Sequence, residues 1–163
     1  MATIRRATEA DAANIHAMVV ELAASIGMTD QVASRVEDIR DLGFGADPAF
    51  EALIAERDGA PVGLCLFFET FSSWDGRRGV YVQDIYVAEA ARGLGLGRRL
   101  LAEAAAISRT RGGSYLRLSV EADNRGAQAF YQRVGLTWSD RERIYRTRGD
   151  DFAALARDAA GVS

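Results

Sequence analysis

The residues best suited to chemistry form a glycine-rich segment in the middle of the chain, Arg92-Gly93-Leu94-Gly95-Leu96-Gly97. It follows an apolar run that ends in Tyr86-Val87 and leads into an amphipathic stretch, which is the pattern of a strand, a turn and a helix. The first N–H groups of a helix have no partner within it, and the helix dipole adds partial positive charge. Glycines carry no Cβ atom that would keep a phosphate at a distance. The segment predicts an anion site, to which Arg98 and Arg99 can add charge-assisted bonds.

The spacing of the glycines narrows the choice of anion. A Walker loop needs Gly-Lys followed by Ser or Thr, whereas this chain has Gly97-Arg98-Arg99. The dinucleotide fingerprint spaces its glycines as G-x-G-x-x-G, whereas here they follow G-x-G-x-G. One alternative is a helix entry that binds no ligand. The order Arg-x-x-Gly-x-Gly after a strand resembles the coenzyme A pyrophosphate loop of the GNAT acyltransferases.

A second group of residues with chemical potential follows later in the chain, in Asn124-x-x-Ala127-x-x-Phe130-Tyr131. On a helix that begins near Arg125, Ala127 and Tyr131 lie four residues apart and share one face. A tyrosine with a pKa of about 10 stays protonated at neutral pH, so Tyr131 can donate a proton to a leaving group. The structural alternative is that Tyr131 packs in the core. With a glycine four residues further on, the block resembles the last shared block of the GNAT N-acetyltransferases.

This resemblance implies an N-acetyltransferase that uses acetyl-coenzyme A as cosubstrate, transfers acetyl directly to a primary amine and needs no metal. In this family Tyr131 would protonate the departing thiolate. A backbone N–H on the Ile85–Val87 strand would bind the developing oxyanion, and a bulge there would open a slot for the pantetheine arm. The resemblance implies coenzyme contacts from Ile85, Tyr86, Val87, Arg92, Gly93, Leu94, Gly95, Leu96, Gly97, Arg98, Asn124, Ala127 and Phe130.

The resemblance extends to the diamine acetyltransferases of the spermidine/spermine type and to their thialysine-acetylating relatives. It is carried by Asp41-Leu42-Gly43-Phe44-Gly45, by Trp74-x-Gly76 and by Gln83-Asp84-Ile85-Tyr86-Val87. It implies a small amine as the acceptor, a diamine, a polyamine or a thialysine-like amino acid, and a homodimer. The residues that it implies for the acceptor are Trp74, Gln83 and Asp84. Trp74 has a structural alternative, in which it covers a hydrophobic edge.

Two positions depart from that group's pattern. Gln83 stands where the group carries a glutamate, and Ser72 stands near the tryptophan where an acid is common. Because glutamine cannot accept a proton at neutral pH, Gln83 is expected to position the amine or a water. Strand alternation predicts that Asp84 faces the opposite side from Gln83. The carboxylates left to face a cationic acceptor are Asp30, Glu37, Asp38, Glu69, Asp84, Asp140 and Glu142.

Two other functions are compatible with the same motifs. One is acetylation of a protein or peptide amine, which would favour an open acceptor groove rather than the bulky insert around Trp74. The other is a coenzyme A-binding sensor without catalysis, which Gln83 favours and Tyr131 opposes.

Composition excludes several classes of function. The chain has 163 residues and a net charge of −3, which argues against non-specific nucleic-acid binding. No apolar run approaches the roughly 20 residues that cross a bilayer. The first residues lack the apolar core of a signal peptide, which predicts a cytoplasmic protein without a membrane partner. His16 is the only histidine, so neither a zinc site nor a Ser-His-Asp triad is expected. Every basic residue is arginine, which leaves no lysine nucleophile.

Strands and helices without strict alternation predict one α+β (mixed α/β) domain over residues 1–163. The resemblance implies the GNAT fold, a central, mostly antiparallel twisted sheet of six to seven strands flanked by about four helices. Strands are predicted over Thr3–Arg6, Ala52–Arg57, Val62–Phe68, Gly79–Val87, Tyr115–Val120, Thr137–Trp138 and Arg143–Thr147. Helices are predicted from the capping box Thr8-x-x-Asp11 to Gly27, and over Gln31–Leu42, Gly95–Arg111, Arg125–Val134 and Asp151–Asp158.

Overall fold

The computed structural model describes residues 1–159. The strands are β1 (Ala2–Arg6), β2 (Glu51–Arg57), β3 (Ala60–Ser72), β4 (Arg77–Val87) and β5 (Gly113–Leu118). The helices are α1 (Ala12–Ser25), α2 (Val36–Phe44), α3 (Leu96–Thr110), α4 (Arg125–Arg133) and α5 (Gly149–Asp158). Short 3-10 turns lie at Glu9–Asp11, Thr29–Gln31 and Glu89–Ala91. Within this part of the chain, no helix is both long and apolar enough to span a membrane.

The strands form one mixed sheet in the order β1-β2-β3-β4-β5. The first three pairings are antiparallel, whereas β4 and β5 run parallel with α3 as the crossover between them. The predicted α+β class and the mostly antiparallel sheet are confirmed.

The sheet has five strands rather than six or seven. Among the described residues, no strand forms over Thr137–Trp138 or Arg143–Thr147, so these two predictions were wrong. Residues 137–150 are all exposed. The arginines alternate with other side chains, but neither set is buried. Because a strand is stable mainly through the burial of one face, this segment forms no strand.

α1 and α2 cover one face of the sheet. Their apolar positions recur at helical spacing and meet strand residues in one buried cluster, formed by Ala12, Ile15, Met18, Ile39, Ala52, Ile54, Leu64 and Leu66. α2 begins later than predicted because the Asp38 carboxylate accepts the backbone N–H of Arg35 at 2.8 Å, which caps the helix at that residue.

The entry to α1 depends on a buried carboxylate. Asp11 is 5% exposed, and its Oδ2 accepts the backbone N–H of Thr8 at 2.8 Å, as the predicted capping box requires. The guanidinium of Arg5 donates to both carboxylate oxygens of Asp11 at 2.8 Å. The hydrogen bonds from Arg5 lower the pKa of Asp11 to about 2. β1 and α1 are thereby joined by a bidentate ion pair.

α3 covers the opposite face of the sheet and is held at both ends. Near its start, Arg99 donates to the backbone carbonyl of Ala2 at 3.2 Å. Just after its end, Arg111 donates to the carboxylates of Glu51 at 3.0 Å and Glu69 at 3.2 Å, on β2 and β3. The apolar face of the helix is buried at Leu96, Leu100, Leu101, Ala104 and Ile107, as predicted.

The chain divides into two compact units, Met1–Ala127 and the residues from Gln128 onward. The first unit holds the whole sheet with α1, α2 and α3. In the second unit, α4 ends in a turn where Leu136 N–H donates to the carbonyl of Tyr131 at 3.0 Å and Gly135 has a φ of +98°. This left-handed turn after the helix matches the predicted stop at Gly135.

Candidate functional site

A β-bulge interrupts β4 at Gln83. Asp84 pairs with Leu66 on β3, but the next pairing joins Val82 to Phe67, so Gln83 is an extra residue without a cross-strand partner. A bulge of this kind bends its strand and redirects side chains. The bulge that the resemblance implied is therefore present, at Gln83 rather than within Ile85–Val87.

The bulge changes which way the two polar side chains face. Directly paired residues share a face of the sheet, and successive residues of β3 alternate, so Asp84 and Val82 face opposite sides. Alternation from Val82 then assigns Gln83 to the same face as Asp84. The sequence-based prediction that these two residues face opposite sides was wrong, because simple alternation does not hold across a bulge.

Beyond the bulge, β4 loses its second neighbour. The parallel ladder between β4 and β5 ends at the pair Val82 and Leu118, and β5 itself ends there. In the described part of the chain, Asp84–Val87 is therefore paired only with β3, on one edge, and Gln83 has no cross-strand partner. We call Gln83–Val87 the open half of β4. Its other edge presents backbone N–H and C=O groups that need partners, as every sheet edge does.

The glycine-rich loop follows directly after the open half of β4. Gly93 has a φ of +79° and Gly95 a φ of +73°, a region that L-residues rarely adopt. A Cβ atom added at either glycine would meet no described atom within 4 Å, so the outer side of the loop is open. Gly95 is the N-cap of α3, and the first turn of this helix contains no acidic side chain. The loop and the helix start together leave uncovered the kind of backbone N–H groups that suit an anion.

Three arginines accompany the loop, and they have different roles. Arg92 Nε donates to the carbonyl of Val87 at 3.1 Å, which ties the loop to the end of β4. Arg98 is exposed and has no hydrogen bond or ion pair among the described residues. Arg99 was expected to add bonds to the anion, but its guanidinium donates to Ala2 instead. Arg98 is thus the guanidinium that remains available beside the loop.

Asp84 is distinctive among the carboxylates considered from the sequence. It is half-buried, and its carboxylate has no hydrogen bond or ion pair with any described residue. By contrast, Glu69 pairs with Arg78, and Asp38 pairs with Arg35. Burial raises the pKa of Asp84 above its usual range. A carboxylate in this state gains from any cation that reaches it.

Cys65 lies on β3, next to the open half of β4, and its thiol is not reactive. It pairs with Ile85 on the face opposite to Asp84 and is fully buried. Burial, followed by the charge of Asp84, raises the pKa of the Cys65 thiol to about 12. A thiol held protonated in this way is not a nucleophile at neutral pH.

The side chain of Tyr86 reaches a residue that sequence reasoning missed. Tyr86 packs against the apolar cluster under α1, and its hydroxyl donates to Glu21 Oε2 on α1 at 2.6 Å. Burial and the hydrogen bond to Glu21 raise the pKa of Tyr86 to about 12. No sequence signal links two residues that are 65 positions apart.

The residues of the second motif lie at the start of α4 and within it. Asn124 Oδ1 accepts the backbone N–H of Ala127 at 3.1 Å, so Asn124 caps this helix as predicted. Phe130 and Tyr131 are half-buried, with ring centroids 5.4 Å apart.

Trp74 lies at the tip of the hairpin between β3 and β4 and is 99% exposed. It therefore covers no hydrophobic edge within the described residues. A cavity of about 420 Å³ lies at this hairpin, lined by Glu69, Thr70, Phe71, Gly76 and Arg78.

No group of three or more His, Cys, Asp or Glu residues within positions 1–159 is arranged to hold a metal ion.

Comparisons with known proteins agree with this geometry. Residues 17–136 match the acetyltransferase (GNAT) family. A thialysine N-epsilon-acetyltransferase from Bos taurus is 35% identical over 164 aligned residues, which cover 94% of this chain and 96% of that protein. The human spermidine/spermine N(1)-acetyltransferase-like protein 1 is 31% identical, covering 94% of this chain and 23% of that protein.

The fold is also shared with solved structures. An integron cassette protein from the mobile metagenome of V. cholerae superposes with a TM-score of 0.80 at 22% identity, covering 96% of this chain and 98% of its own. The resemblance to the GNAT fold and to the thialysine and spermidine/spermine group is confirmed. With the family match spanning most of its length, the chain belongs to the GNAT acetyltransferase family.

Proposed function

We propose that this protein transfers the acetyl group of acetyl-coenzyme A to a primary amine of a small molecule, such as a diamine, a polyamine or a thialysine-like amino acid. One observation carries the proposal. The open half of β4 leads directly into an uncovered anion loop, so one continuous stretch of backbone offers partners to the pantetheine arm and to the pyrophosphate. The similarity to thialysine N-epsilon-acetyltransferases supports the small amine as acceptor.

The coenzyme contacts divide into three sets. Backbone groups of Ile85, Tyr86 and Val87 bind the pantetheine arm and the thioester oxygen. The loop residues bind the pyrophosphate, and they are Arg92, Gly93, Leu94, Gly95, Leu96, Gly97 and Arg98. Asn124, Ala127 and Phe130 complete the coenzyme site on α4.

Gln83 and Asp84 handle the acceptor amine. An alkyl amine has a pKa near 10.4, so its reactive neutral form costs roughly 4 kcal/mol at about pH 7.5. Because Asp84 is half-buried, unpaired and raised in pKa, it can hold the ammonium and accept its proton, directly or through a water. Gln83, on the same face, positions the amine. Trp74 stacks on the aliphatic or cationic acceptor.

The transfer itself needs an acid for the leaving group. The amine nitrogen bonds to the acetyl carbon while the carbon–sulfur bond breaks, and a backbone N–H of the open half stabilises charge on the carbonyl oxygen. Tyr131 gives its phenolic proton to the departing thiolate, whose conjugate acid has a pKa of about 8.5 by analogy with cysteine.

We also propose that residues 1–163 act as one acetyltransferase domain, in a cytoplasmic homodimer without metal, nucleic-acid or membrane partners. The large apolar side chains exposed in the second unit, including Trp138, Phe152 and Leu155, support a contact with a second copy.

The first test is thiol release from acetyl-coenzyme A at about pH 8 with spermidine, putrescine, thialysine, lysine, aminoglycosides and N-terminal peptides. We expect turnover with at least one small amine. Turnover with peptides alone would replace the proposal with a protein N-acetyltransferase. Binding of coenzyme A, shown by a thermal shift, without any turnover would replace it with a sensor.

The loop assignment predicts that Gly95→Asp abolishes coenzyme A binding, because the carboxylate occupies the open side of the loop and repels pyrophosphate. Calorimetric titration with coenzyme A is the measurement. Gly112→Asp is the matched control, since Gly112 has a φ of +84°, also has open space around it and lies beyond the other end of α3. Unchanged affinity in Gly95→Asp would contradict the loop assignment.

The acid assignment predicts that Tyr131→Phe lowers kcat by about ten-fold to a thousand-fold when both substrates saturate, in the range of a lost general acid. Tyr145→Phe serves as a control, since Tyr145 is 90% exposed on the same unit. Rapid-quench measurement of the first turnover reports the chemical step alone, and an unaltered rate there would exclude Tyr131 as the acid.

The acceptor assignment predicts opposite effects of Asp84→Asn on stability and on activity. Since burial raises the folded-state pKa of Asp84, its ionisation costs stability as pH rises above the unfolded-state pKa. The variant should therefore melt higher than the wild type at pH 7, by about 2–4 °C for each kcal/mol regained, with the gain vanishing below about pH 3.

In the same variant, kcat/KM for the amine should fall at least ten-fold, because the ammonium loses its carboxylate. Asp47→Asn is the control, since Asp47 is exposed and has no hydrogen bond or ion pair among the described residues. It should change neither the Tm nor the activity. Full activity in Asp84→Asn would remove Asp84 from the acceptor site.

A further inference from the structure

The contact between Tyr86 and Glu21 has no part in the proposed chemistry, yet Tyr86 belongs to the strand segment that we propose to bind the coenzyme. Tyr86 belongs to the open half of β4, and its hydroxyl donates to Glu21 Oε2 at 2.6 Å. A short bond from a phenol to a carboxylate is of the charge-assisted, stronger kind. It joins the open half to α1, an element that is distant in sequence.

The open half needs such a contact because its own ladder is incomplete. A strand inside a sheet is fixed by hydrogen bonds on both edges, whereas Asp84–Val87 is paired only with β3 within the described chain. Its end is tied by Arg92, which donates to the carbonyl of Val87. A second contact comes from the side chain of Tyr86, which projects from one face of the strand to Glu21 on α1. This second contact is made by Tyr86, whose backbone we propose to bind the pantetheine arm.

The partner of Tyr86 in this hydrogen bond, Glu21, lies on a helix that is packed against the sheet. Ile15 and Met18 of α1 are buried in the cluster that also holds Leu64, the direct cross-strand partner of Tyr86. Glu21 follows on the same helix and is exposed, so its carboxylate reaches Tyr86 without being buried itself. Since burial and the hydrogen bond to Glu21 raise the pKa of Tyr86 to about 12, the phenol remains a donor throughout the neutral range.

We propose that Glu21 is a positioning residue for the coenzyme: acting through Tyr86, it holds the open half of β4 in the geometry that binds the pantetheine arm. The inference rests on the proposed coenzyme role of the open half. It predicts that loss of this one hydrogen bond weakens coenzyme binding while leaving the fold intact.

The test is calorimetric titration of coenzyme A into Tyr86→Phe, Glu21→Ala and the double variant. Each single change should raise Kd about 5- to 30-fold, which is part of the effect of losing one hydrogen bond to a charged group. The double variant should be no weaker than the single ones, because both remove the same bond. Glu21→Gln keeps an acceptor oxygen and should recover most of the affinity. In turnover assays, KM for acetyl-coenzyme A should rise with kcat nearly constant.

Tyr81→Phe is the matched control. Tyr81 lies on the same strand and its hydroxyl bonds Ser119 Oγ at 2.8 Å, but it pairs with both β3 and β5. Its Kd for coenzyme A should stay within about twofold of the wild-type value. A merely structural contact would instead lower the Tm of Tyr86→Phe and Glu21→Ala without changing Kd, and that result would overturn the proposal.

Failure of this inference is distinguishable from failure of the proposed function. Normal coenzyme affinity in both single variants of an active enzyme overturns the positioning role alone. Weakened coenzyme affinity in a protein that acetylates no amine supports the positioning role and overturns the transferase proposal.

Discussion

The point at which β4 parts from β5 is the constraint on which the site depends. Two parallel strands joined through α3 share a ladder only as far as Val82 and Leu118. Beyond that point the open half keeps its full partner on one side, while a row of backbone groups on the other side is left for ligand or water. The bulge at Gln83 lies one residue past the last pair that β4 shares with β5, so β4 bends at the point where it separates from β5.

The two substrates carry opposite charges, and the structure separates the groups suited to each. The anion loop combines a helix N-terminus with an available guanidinium, and the helix turn behind it contains no acid. Asp84, which we propose for the acceptor amine, is a carboxylate without a counter-ion among residues 1–159. If a cation were already paired with Asp84, an incoming ammonium would have to displace it. In the proposed function, the cost of leaving this carboxylate unpaired in the free protein is offset when an amine binds.

Much of this arrangement could be predicted from local sequence signals. The glycines at positions 93 and 95 specify a left-handed turn, Asn124 specifies a helix cap, and the capping box at Thr8 and Asp11 was recognised because its spacing is fixed. Each of these signals operates within a few residues. The helix and strand positions around the anion loop followed from such signals, with ends shifted by one or two residues.

What could not be predicted depends on contacts between distant segments. No glycine in the sequence marks the bulge at Gln83. The bulge is a shift in register between β3 and β4, which depends on how the two strands pair. The partner of Tyr86 lies on α1, and Arg99 turns to a carbonyl on β1 instead of the loop. In the final segment, alternation between polar and other residues resembled a strand, but residues 137–150 are exposed and provide no buried face.

The ion pairs that join the sheet to α1 and to α3 have a chemical consequence for a protein of this family. Their side-chain cations are guanidinium groups, as in Arg5 with Asp11 and Arg111 with Glu51 and Glu69, and the whole chain contains no lysine. Acyl thioesters modify free amines spontaneously, and an acetylated lysine loses its charge. Guanidinium groups stay protonated and are poor nucleophiles. The scaffold is thus resistant to self-acetylation at the side chains that stabilise it, even when it works in a high concentration of its own acyl donor.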